Sequence, residues 1–171
     1  MFSSVAIDSP VGRLTISATD SAIAAIGWCD TAQGEENALL AEARHQLEAY
    51  FDGRLKEFDL PLQPAGTAFD QRVWKAMQQI PYGQTRSYGE LAMDVGSAPR
   101  AIGRACGRNP IPIIIPCHRI LGRNGPGGYS GGTGLPTKQC LLELERGGPR
   151  GLSWSLSAER QATPLSVPSA I

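Results

Sequence analysis

The sequence predicts an α/β N-terminal domain, made of an antiparallel sheet and one helix, followed by a mostly α-helical domain that contains a helix-turn-helix. Short β-like runs alternate with turn residues in the first third of the chain. Helical periodicity and N-cap signals dominate the part that follows. The charge also changes sign: residues 1–66 hold 4 Lys/Arg and 10 Asp/Glu, a net of −6, and residues 67–150 hold 11 and 5, a net of +6.

The first domain, residues 1–66, is expected to begin with three strands and to continue with a helix. The β-like runs lie at 5–7, 14–17 and 23–26, and Ser, Pro, Gly and Asp separate them. This is the pattern of an antiparallel meander. From 35 to 51 the apolar residues recur on one helical face, which predicts a helix packed against the sheet.

The second domain, residues 67–150, carries the helix-turn-helix outline. Ser87 and Glu90 have the spacing of a capping box, which predicts a short helix that ends at Gly96. Pro99 suits the first turn of another helix that runs to about residue 108. Two helices joined by a glycine-containing turn have the outline of a helix-turn-helix.

The remaining elements of this domain follow from caps, prolines and glycines. Residues 60–66 form a Pro-containing linker, and Thr67 can N-cap the helix that follows it. Residues 109–116 are too rich in proline for a helix and are expected to be extended. After them we expect a Gly-rich loop at 122–134, a last helix at 136–145 and a loose tail at 151–171.

Composition excludes several classes of protein. Apolar residues make up 42% and charged residues 19%, which is ordinary globular usage. No apolar run approaches the about 20 residues of a membrane span, and no signal peptide opens the sequence. We therefore expect four reduced cysteines. A cytoplasmic location and a monomeric state are further expectations. Two histidines and the lack of a phosphate-binding glycine motif argue against a metal site or a nucleotide cofactor.

The helix that begins at Pro99 carries a basic face. Arg100, Arg104 and Arg108 are spaced four apart, so their guanidiniums stack on one side of the helix. Such a face can grip the phosphates of a nucleic acid. The alternative is a solvated basic face on an amphipathic helix, and the spacing alone leaves both open.

Cys117-His118-Arg119 is the second constellation of interest. A thiol attacks as the thiolate, and a neighbouring imidazole or guanidinium promotes that state. In an extended chain His118 would point away from the sulfur, so it needs a turn or a bridging water to reach it. The alternative interpretation is an inert thiol in the core. The Gly-x-Ser-x-Gly match at 128–132 lacks a later histidine and is treated as accidental.

Several short motifs occur together between residues 69 and 145. Asn-Pro at 109–110 precedes Ile-Pro-Cys-His-Arg-Ile at 115–120, and Gly-Tyr-Ser-Gly-Gly follows at 128–132. Upstream lie Ser-Tyr-Gly-Glu-Leu-Ala at 87–92 and Arg-Ala-Ile-Gly at 100–103. In this combination the chain resembles the O6-alkylguanine-DNA alkyltransferases, and its first third is similar to their N-terminal, ribonuclease H-like domain.

The resemblance implies a DNA repair reaction that runs once. The protein would bind DNA that contains O6-alkylguanine, flip the damaged base into a pocket and move the alkyl group to a cysteine. The product is a thioether that no residue here can cleave, so each molecule would act once without a cofactor. A DNA-binding relative that senses the lesion without repairing it, and a thiol hydrolase, are the alternatives.

The resemblance also assigns roles to single positions. Cys117 would be the alkyl acceptor, His118 a base that acts through a water, and Glu145 the carboxylate that orients the imidazole. Tyr88 would assist departure of the guanine, and Arg100 would fill the gap left by the flipped nucleotide. The other implied positions are Asn109 between the helix-turn-helix and the active-site loop, Ser87, Ala101 and Gly103 at the DNA, and Pro112, Arg119, Tyr129, Ser130, Gly131 and Lys138 at the substrate pocket.

The chain departs from the family pattern in three respects. Only three residues separate Gly96 from Arg100, which is fewer than the family usually has. The loop between Tyr129 and Lys138 is about two residues longer than usual. The zinc ligands of some animal members are also missing from the sequence.

Overall fold

The computed structural model describes residues 2–148, and its first element is the predicted meander. Strands β1 (Ser3–Ile7), β2 (Leu14–Ala18) and β3 (Ile23–Gly27) form an antiparallel sheet in the order β1-β2-β3. The central strand is almost completely buried, because it pairs with a strand on each edge and the first helix packs against it.

Helix α1 (Ala38–Phe51) packs against this sheet. It begins after Asn37, whose side chain accepts a hydrogen bond from the Leu40 amide, so it starts three residues later than the periodicity suggested. Its buried face includes Leu40, Leu47 and Tyr50. The α/β character predicted for the N-terminal part is confirmed.

Helix α2 (Ala68–Gln78) follows the linker and has the predicted N-cap. Thr67 and Asp70 form a complete capping box, in which each side chain accepts from the other residue's backbone amide. Trp74 on this helix is almost fully buried, and its indole donates to the Ala105 carbonyl over 2.9 Å.

The predicted helix-turn-helix consists of α3 (Tyr88–Val95) and α4 (Pro99–Gly107). Ser87 and Glu90 close the capping box at the start of α3. Gly96 ends the helix with a φ of 68°, a left-handed conformation that favours glycine. Pro99 opens α4, where its missing amide costs no hydrogen bond.

The segment after α4 returns to the start of α3. Strand β4 (Arg86–Ser87) pairs in parallel with β5 (Ile120–Leu121), which lies directly after a 3-10 turn at Cys117–Arg119. The predicted Gly-rich loop follows, and helix α5 (Leu135–Glu145) ends the described part. The short β4-β5 pair therefore ties the helix-turn-helix to the Cys117 turn.

One hydrophobic core runs through the two predicted domains. The linker residues Pro61 and Gln63 hydrogen-bond to Ile23, so this segment pairs with the edge of β3. The Ile26 amide donates to the Pro110 carbonyl over 2.9 Å and connects the sheet with the helical part. The boundary at residue 66 stays a prediction, and the tail at 151–171 lies outside the described residues. Between residues 2 and 148, every helix is too short or too polar to span a lipid bilayer.

We expect Gly66→Ala to destabilise the protein, because the new Cβ would lie 2.3 Å from the buried Trp74 ring. Overpacking of this kind lowers the free energy of unfolding by about 1–3 kcal/mol. The matched control is Gly107→Ala, where a Cβ meets nothing within 4 Å and helix propensity favours alanine. Urea denaturation of the variants measures both effects, and equal midpoints would contradict the packing argument.

Candidate active site

The Cys117 thiol lies at the start of a tight turn. The Cys117 amide donates to the Ile115 carbonyl over 2.8 Å, and the Arg119 amide donates to the Pro116 carbonyl over 3.0 Å. These bonds form the turn that His118 needs if it is to lie on the same side as the sulfur. Cys117 is 8% exposed and His118 is fully buried.

Asn109 holds the segment that leads to this turn. Its side-chain oxygen accepts from the Ile111 amide over 3.0 Å, and its side-chain nitrogen donates to the Ile115 carbonyl over 2.9 Å. The Ile115 amide in turn donates to the Ile111 carbonyl over 2.9 Å. The prediction of an extended segment at 109–116 is therefore wrong, since the chain folds back on itself.

The reversal places Ile113 at a φ of 77°, a left-handed conformation that a β-branched residue rarely adopts. Ile113 is completely buried, as are its apolar neighbours Ile111 and Ile115. Burial of these side chains and the Asn109 bonds stabilise the strained backbone. A local propensity argument cannot anticipate such a conformation.

The carboxylate of Glu145, at the end of α5, is the centre of the hydrogen-bond network. Its Oε1 accepts from His118 Nε2 over 2.7 Å, from the Tyr50 hydroxyl over 2.7 Å and from Arg119 Nη2 over 2.9 Å. Its Oε2 accepts from Arg119 Nε over 2.9 Å and from the Gly83 amide over 3.2 Å. Four segments of the chain thus meet at one buried carboxylate.

These contacts fix the charge and the tautomer of the His118–Glu145 pair. Although burial opposes ionisation, His118 and Arg119 hold the pKa of Glu145 well below its usual range. Burial lowers the pKa of His118, so the imidazole is neutral near pH 7. Because Nε2 donates to the carboxylate, Nδ1 carries the free lone pair, and it has no hydrogen-bond partner within the described residues.

The thiol is in its protonated form at neutral pH. Burial raises the pKa of Cys117 above its ordinary value. The Asn109 side chain and the Lys138 ammonium group offset part of this rise, and so does the Tyr129 hydroxyl. That hydroxyl makes no hydrogen bond of ordinary geometry with a described residue. The sulfur therefore needs a base before it can attack.

A cavity of about 400 Å³ opens on the sulfur from the side of the helix-turn-helix. Tyr88, at the start of α3, forms one wall, and burial raises the pKa of its phenol to about 12, so the hydroxyl stays a donor. Gly103 of α4 lies next to the Tyr88 ring in this wall, where a Cβ would be 3.9 Å from the ring. The lining is completed by Cys106 and Gly107 from α4 and by Gly128, Tyr129 and Ser130 from the Gly-rich loop.

Two residues that were predicted to line the substrate pocket, Lys138 and Arg119, instead contact the residues that surround it. Lys138 is completely buried, and its ammonium group donates to the carbonyls of Ile120, Pro126 and Gly128. It therefore shapes the pocket by fixing the backbone of the Gly-rich loop. Arg119 binds Glu145, and it also donates to the Ile80 carbonyl over 2.7 Å.

The basic face of α4 is divided between solvent and the protein. Arg100 and Arg104 are exposed. Arg108 is exposed as well, but it forms a bidentate ion pair with the buried Asp70 of α2, with a shortest N–O distance of 2.6 Å. Its guanidinium has a partner within the chain, so a role at DNA stays a prediction for Arg108. Ser87 caps α3, and Ala101 and Gly103 are half-buried on α4.

Three residues near the thiol had no role in the sequence interpretation. Tyr50 reaches Glu145 from α1, Trp28 contacts the Gly-rich loop from the end of β3, and Cys106 lines the cavity from α4. The helical periodicity correctly placed Tyr50 on a helix. Nothing in a single sequence shows which distant group a buried hydroxyl meets.

The first comparison concerns two family models. The model described as the 6-O-methylguanine DNA methyltransferase, ribonuclease-like domain matches residues 4–64. The model described as the DNA binding domain of the same family matches residues 68–147. Together the matched residues include every element described above except the first residue of β1.

Curated relatives and solved structures agree with these matches. The methylated-DNA–protein-cysteine methyltransferase of Mycolicibacterium paratuberculosis is 47% identical over 150 residues, which cover 82% of this chain and 90% of the relative. The constitutive enzyme of that name from Bacillus subtilis is 42% identical, with 81% and 92% covered.

The crystal structure of the Mycobacterium tuberculosis O6-methylguanine methyltransferase matches with a TM-score of 0.77 at 42% identity, covering 90% of this chain and 99% of that one. A structure of the same organism's OGT in complex with DNA matches with a TM-score of 0.78 at 43% identity, with 90% and 97% covered. The chain therefore belongs to the 6-O-methylguanine DNA methyltransferase family.

Proposed function

We propose that this protein repairs DNA by moving the alkyl group of O6-alkylguanine to Cys117 in a single, irreversible event. The observation that carries this proposal is the buried thiol at the floor of a cavity, next to a neutral imidazole held by Glu145. The relatives named methylated-DNA–protein-cysteine methyltransferase support the reaction class. The neighbour in complex with DNA supports the partner.

The DNA would bind at the helix-turn-helix, where Arg100 and Arg104 are exposed on α4. Guanidiniums in this position contact phosphates, and Arg100 at the start of the helix can occupy the space of a displaced nucleotide. The damaged base enters the cavity between Tyr88 and Tyr129. Only a flipped base exposes its O6-alkyl carbon to a nucleophile in a pocket.

The transfer itself needs one proton relay and one displacement. His118 Nδ1 takes the Cys117 proton through a bridging water, and Glu145 stabilises the imidazolium that results. The sulfur attacks the alkyl carbon, a C–S bond forms and the C–O6 bond breaks. The guanine leaves with the electron pair, and the Tyr88 hydroxyl donates a hydrogen bond to it as it departs. The thioether stays on the protein.

A monomeric state, a cytoplasmic location and specificity for O6-alkylguanine are part of this proposal. One chain contains the thiol, the base, the carboxylate and the basic helix, so a second copy is not needed to complete the site. No cofactor takes part in the displacement, because the alkyl group moves directly between two nucleophiles.

The central experiment is intact and peptide mass spectrometry after mixing the protein with a duplex that holds one O6-methylguanine. We expect a gain of one methyl, confined to the Cys117 peptide and saturating at one per protein. Cys117→Ala is expected to lose transfer and keep DNA binding. Cys106→Ala, a second cysteine on the same cavity, is the matched control and is expected to keep transfer.

The other outcomes distinguish the alternatives. DNA binding without a mass gain in the wild-type protein would indicate a sensor that does not repair. Failure to bind and to gain mass would favour a thiol hydrolase, which turns over an ester or peptide independently of DNA. Methylation on a residue other than Cys117 would contradict the assignment of the acceptor.

The pH dependence of transfer is expected to report on His118. Burial lowers the pKa of His118 below the ordinary 6.5, so the imidazole is neutral at pH 7 and can accept a proton. The rate of transfer is therefore expected to fall only below pH 6.5. In Tyr50→Phe, Glu145 loses one donor, its negative charge is less compensated, and the pKa of His118 rises. The acid limb of the single-turnover rate therefore moves to higher pH.

Thr15→Val is the control, because it removes a buried hydroxyl of the N-terminal sheet that donates to the Cys29 carbonyl. Rapid-quench rates between pH 5 and 9 measure all three proteins. An acid limb centred above pH 6.5 in the wild type, or the same limb in Tyr50→Phe, would contradict this account.

DNA affinity is expected to depend on salt through Arg100 and Arg104. Each phosphate contact adds about 0.9 to the slope of log affinity against log salt concentration. The double variant Arg100→Ala/Arg104→Ala should bind DNA more weakly at low salt. Its slope should be smaller by about 0.9 for each of the two phosphate contacts that it loses. The control is Arg44→Ala, which removes an arginine of α1 that forms an ion pair with Glu36. Equal slopes for all three proteins would place the DNA elsewhere.

A further inference from the structure

A cavity of about 580 Å³ lies beside the Cys117 turn and is separate from the cavity at the sulfur. Among the residues that the structure describes, the two cavities have no lining residue in common. Ile114, Pro116 and Arg119, which flank the thiol along the chain, contribute to one wall, and the other walls come from the linker and from α2. Small-molecule sites are typically cavities of about 300–1,000 Å³, so this one is large enough to hold a ligand.

The segment that leads into α2 supplies an apolar wall of this cavity. The Pro61 carbonyl and the Gln63 amide hydrogen-bond to Ile23, which fixes the segment against β3. Every second residue along it lines the cavity and is half-buried, namely Phe58, Leu60, Leu62 and Pro64. Part of each apolar side chain therefore stays in contact with water. A ligand with an apolar body would be stabilised by covering this surface.

Positive charge predominates among the charged residues of the lining. Lys56 and Arg119 both lie near the ring of Tyr82, with Lys56 Nζ 5.8 Å and Arg119 Cζ 5.9 Å from its centroid. Lys75 of α2 is a third cation in the described lining, and Glu57 is the carboxylate there. A cavity with three cations and one carboxylate attracts anions.

Arg119 has hydrogen-bonding capacity that the described residues do not use. Its side chain is almost completely buried, and a guanidinium has five N–H groups. Three of them donate, two to Glu145 and one to the Ile80 carbonyl, so two remain without an acceptor among the described residues. A buried donor without an acceptor is costly. Because Arg119 also lines the cavity, an anion bound there can accept from this guanidinium.

We propose that this cavity is a second ligand site and that it binds a small organic anion that carries an aromatic ring. The ring packs on the apolar wall formed by the linker side chains. The carboxylate, sulfonate or phosphate group of the ligand pairs with Lys56, Lys75 and Arg119, and charge-assisted hydrogen bonds of this kind are among the stronger ones. This inference does not rest on the proposed function, because neither Cys117 nor His118 lines the cavity.

The test uses 8-anilinonaphthalene-1-sulfonate, an aromatic sulfonate whose fluorescence rises when it leaves water. The full chain is titrated with this probe at pH 7 without DNA, and we expect binding to saturate at one probe per protein. Lys56→Ala/Lys75→Ala should weaken the binding about tenfold, since two charge pairs with the sulfonate are lost. Both lysines are exposed, so the urea midpoint of this variant should equal that of the wild type.

Arg72→Ala is the matched control, because Arg72 is an exposed cation of α2 that lies near the Phe69 ring and does not line the cavity. Its affinity for the probe should equal that of the wild type. Wild-type affinity in the double lysine variant, or the same loss in Arg72→Ala, would overturn the inference.

Competition identifies the source of the anion. Displacement of the probe by 1-naphthoate would indicate an aromatic acid, and displacement by deoxyguanosine monophosphate would indicate a nucleotide. Either result supports the site. Inorganic phosphate, which has no ring, should not displace the probe at the same concentration. Displacement by neither aromatic anion, or equal displacement by phosphate, would contradict the proposed ligand class.

Discussion

The buried carboxylate of Glu145 organises the site, because it receives hydrogen bonds from α1, from the turn after α2 and from the Cys117 turn. Burying a carboxylate is costly unless charge and hydrogen bonds compensate for it. Here Arg119 supplies the compensating positive charge, and the Tyr50 hydroxyl and the Gly83 amide donate further hydrogen bonds to the carboxylate oxygens. With its lone pairs occupied in this way, the carboxylate stays ionised and holds the imidazole of His118 in one orientation.

Burial then acts on the two reacting groups in opposite directions. It raises the pKa of the Cys117 thiol and lowers that of His118, so the resting site holds a neutral acid and a neutral base. This state avoids an uncompensated charge in the interior. It also keeps the sulfur unreactive toward solvent electrophiles until a substrate arrives. In the proposed transfer, the anion already present at Glu145 would stabilise the ion pair that forms between the Cys117 thiolate and the His118 imidazolium.

The parts of the fold that depend on neighbouring residues could be predicted from the sequence. The N-cap at Thr67, the capping box at Ser87 and the proline at the start of α4 fix helix starts through local hydrogen bonds and sterics, and the structure confirms them. The meander could be predicted for the same reason, since its strands pair with their neighbours along the chain.

The features that the sequence did not reveal depend on side-chain contacts in the folded protein, most of them with partners that are distant along the chain. The ion pair between Arg108 and Asp70, which lie 38 residues apart, could not be predicted from the spacing of the arginines. The left-handed Ile113 is enforced by buried neighbours and by Asn109, against its own preference. Of the groups that donate hydrogen bonds to Glu145, only His118 was predicted from the sequence. The Tyr50 contact spans 95 residues, and a single sequence carries no signal for such a pair.

The Tyr50 hydroxyl and the Trp28 ring have a consequence for how such chains can be recombined. Both belong to the N-terminal part, yet the Tyr50 hydroxyl donates a hydrogen bond to Glu145 and the Trp28 ring packs against Tyr129 of the Gly-rich loop. The N-terminal part is therefore not an interchangeable module. A chimera that joins residues 67–150 to a relative's first domain would keep its helix-turn-helix. Unless the donor supplies a phenol and an indole at these positions, Glu145 would lack one hydrogen bond and the loop would lose its support.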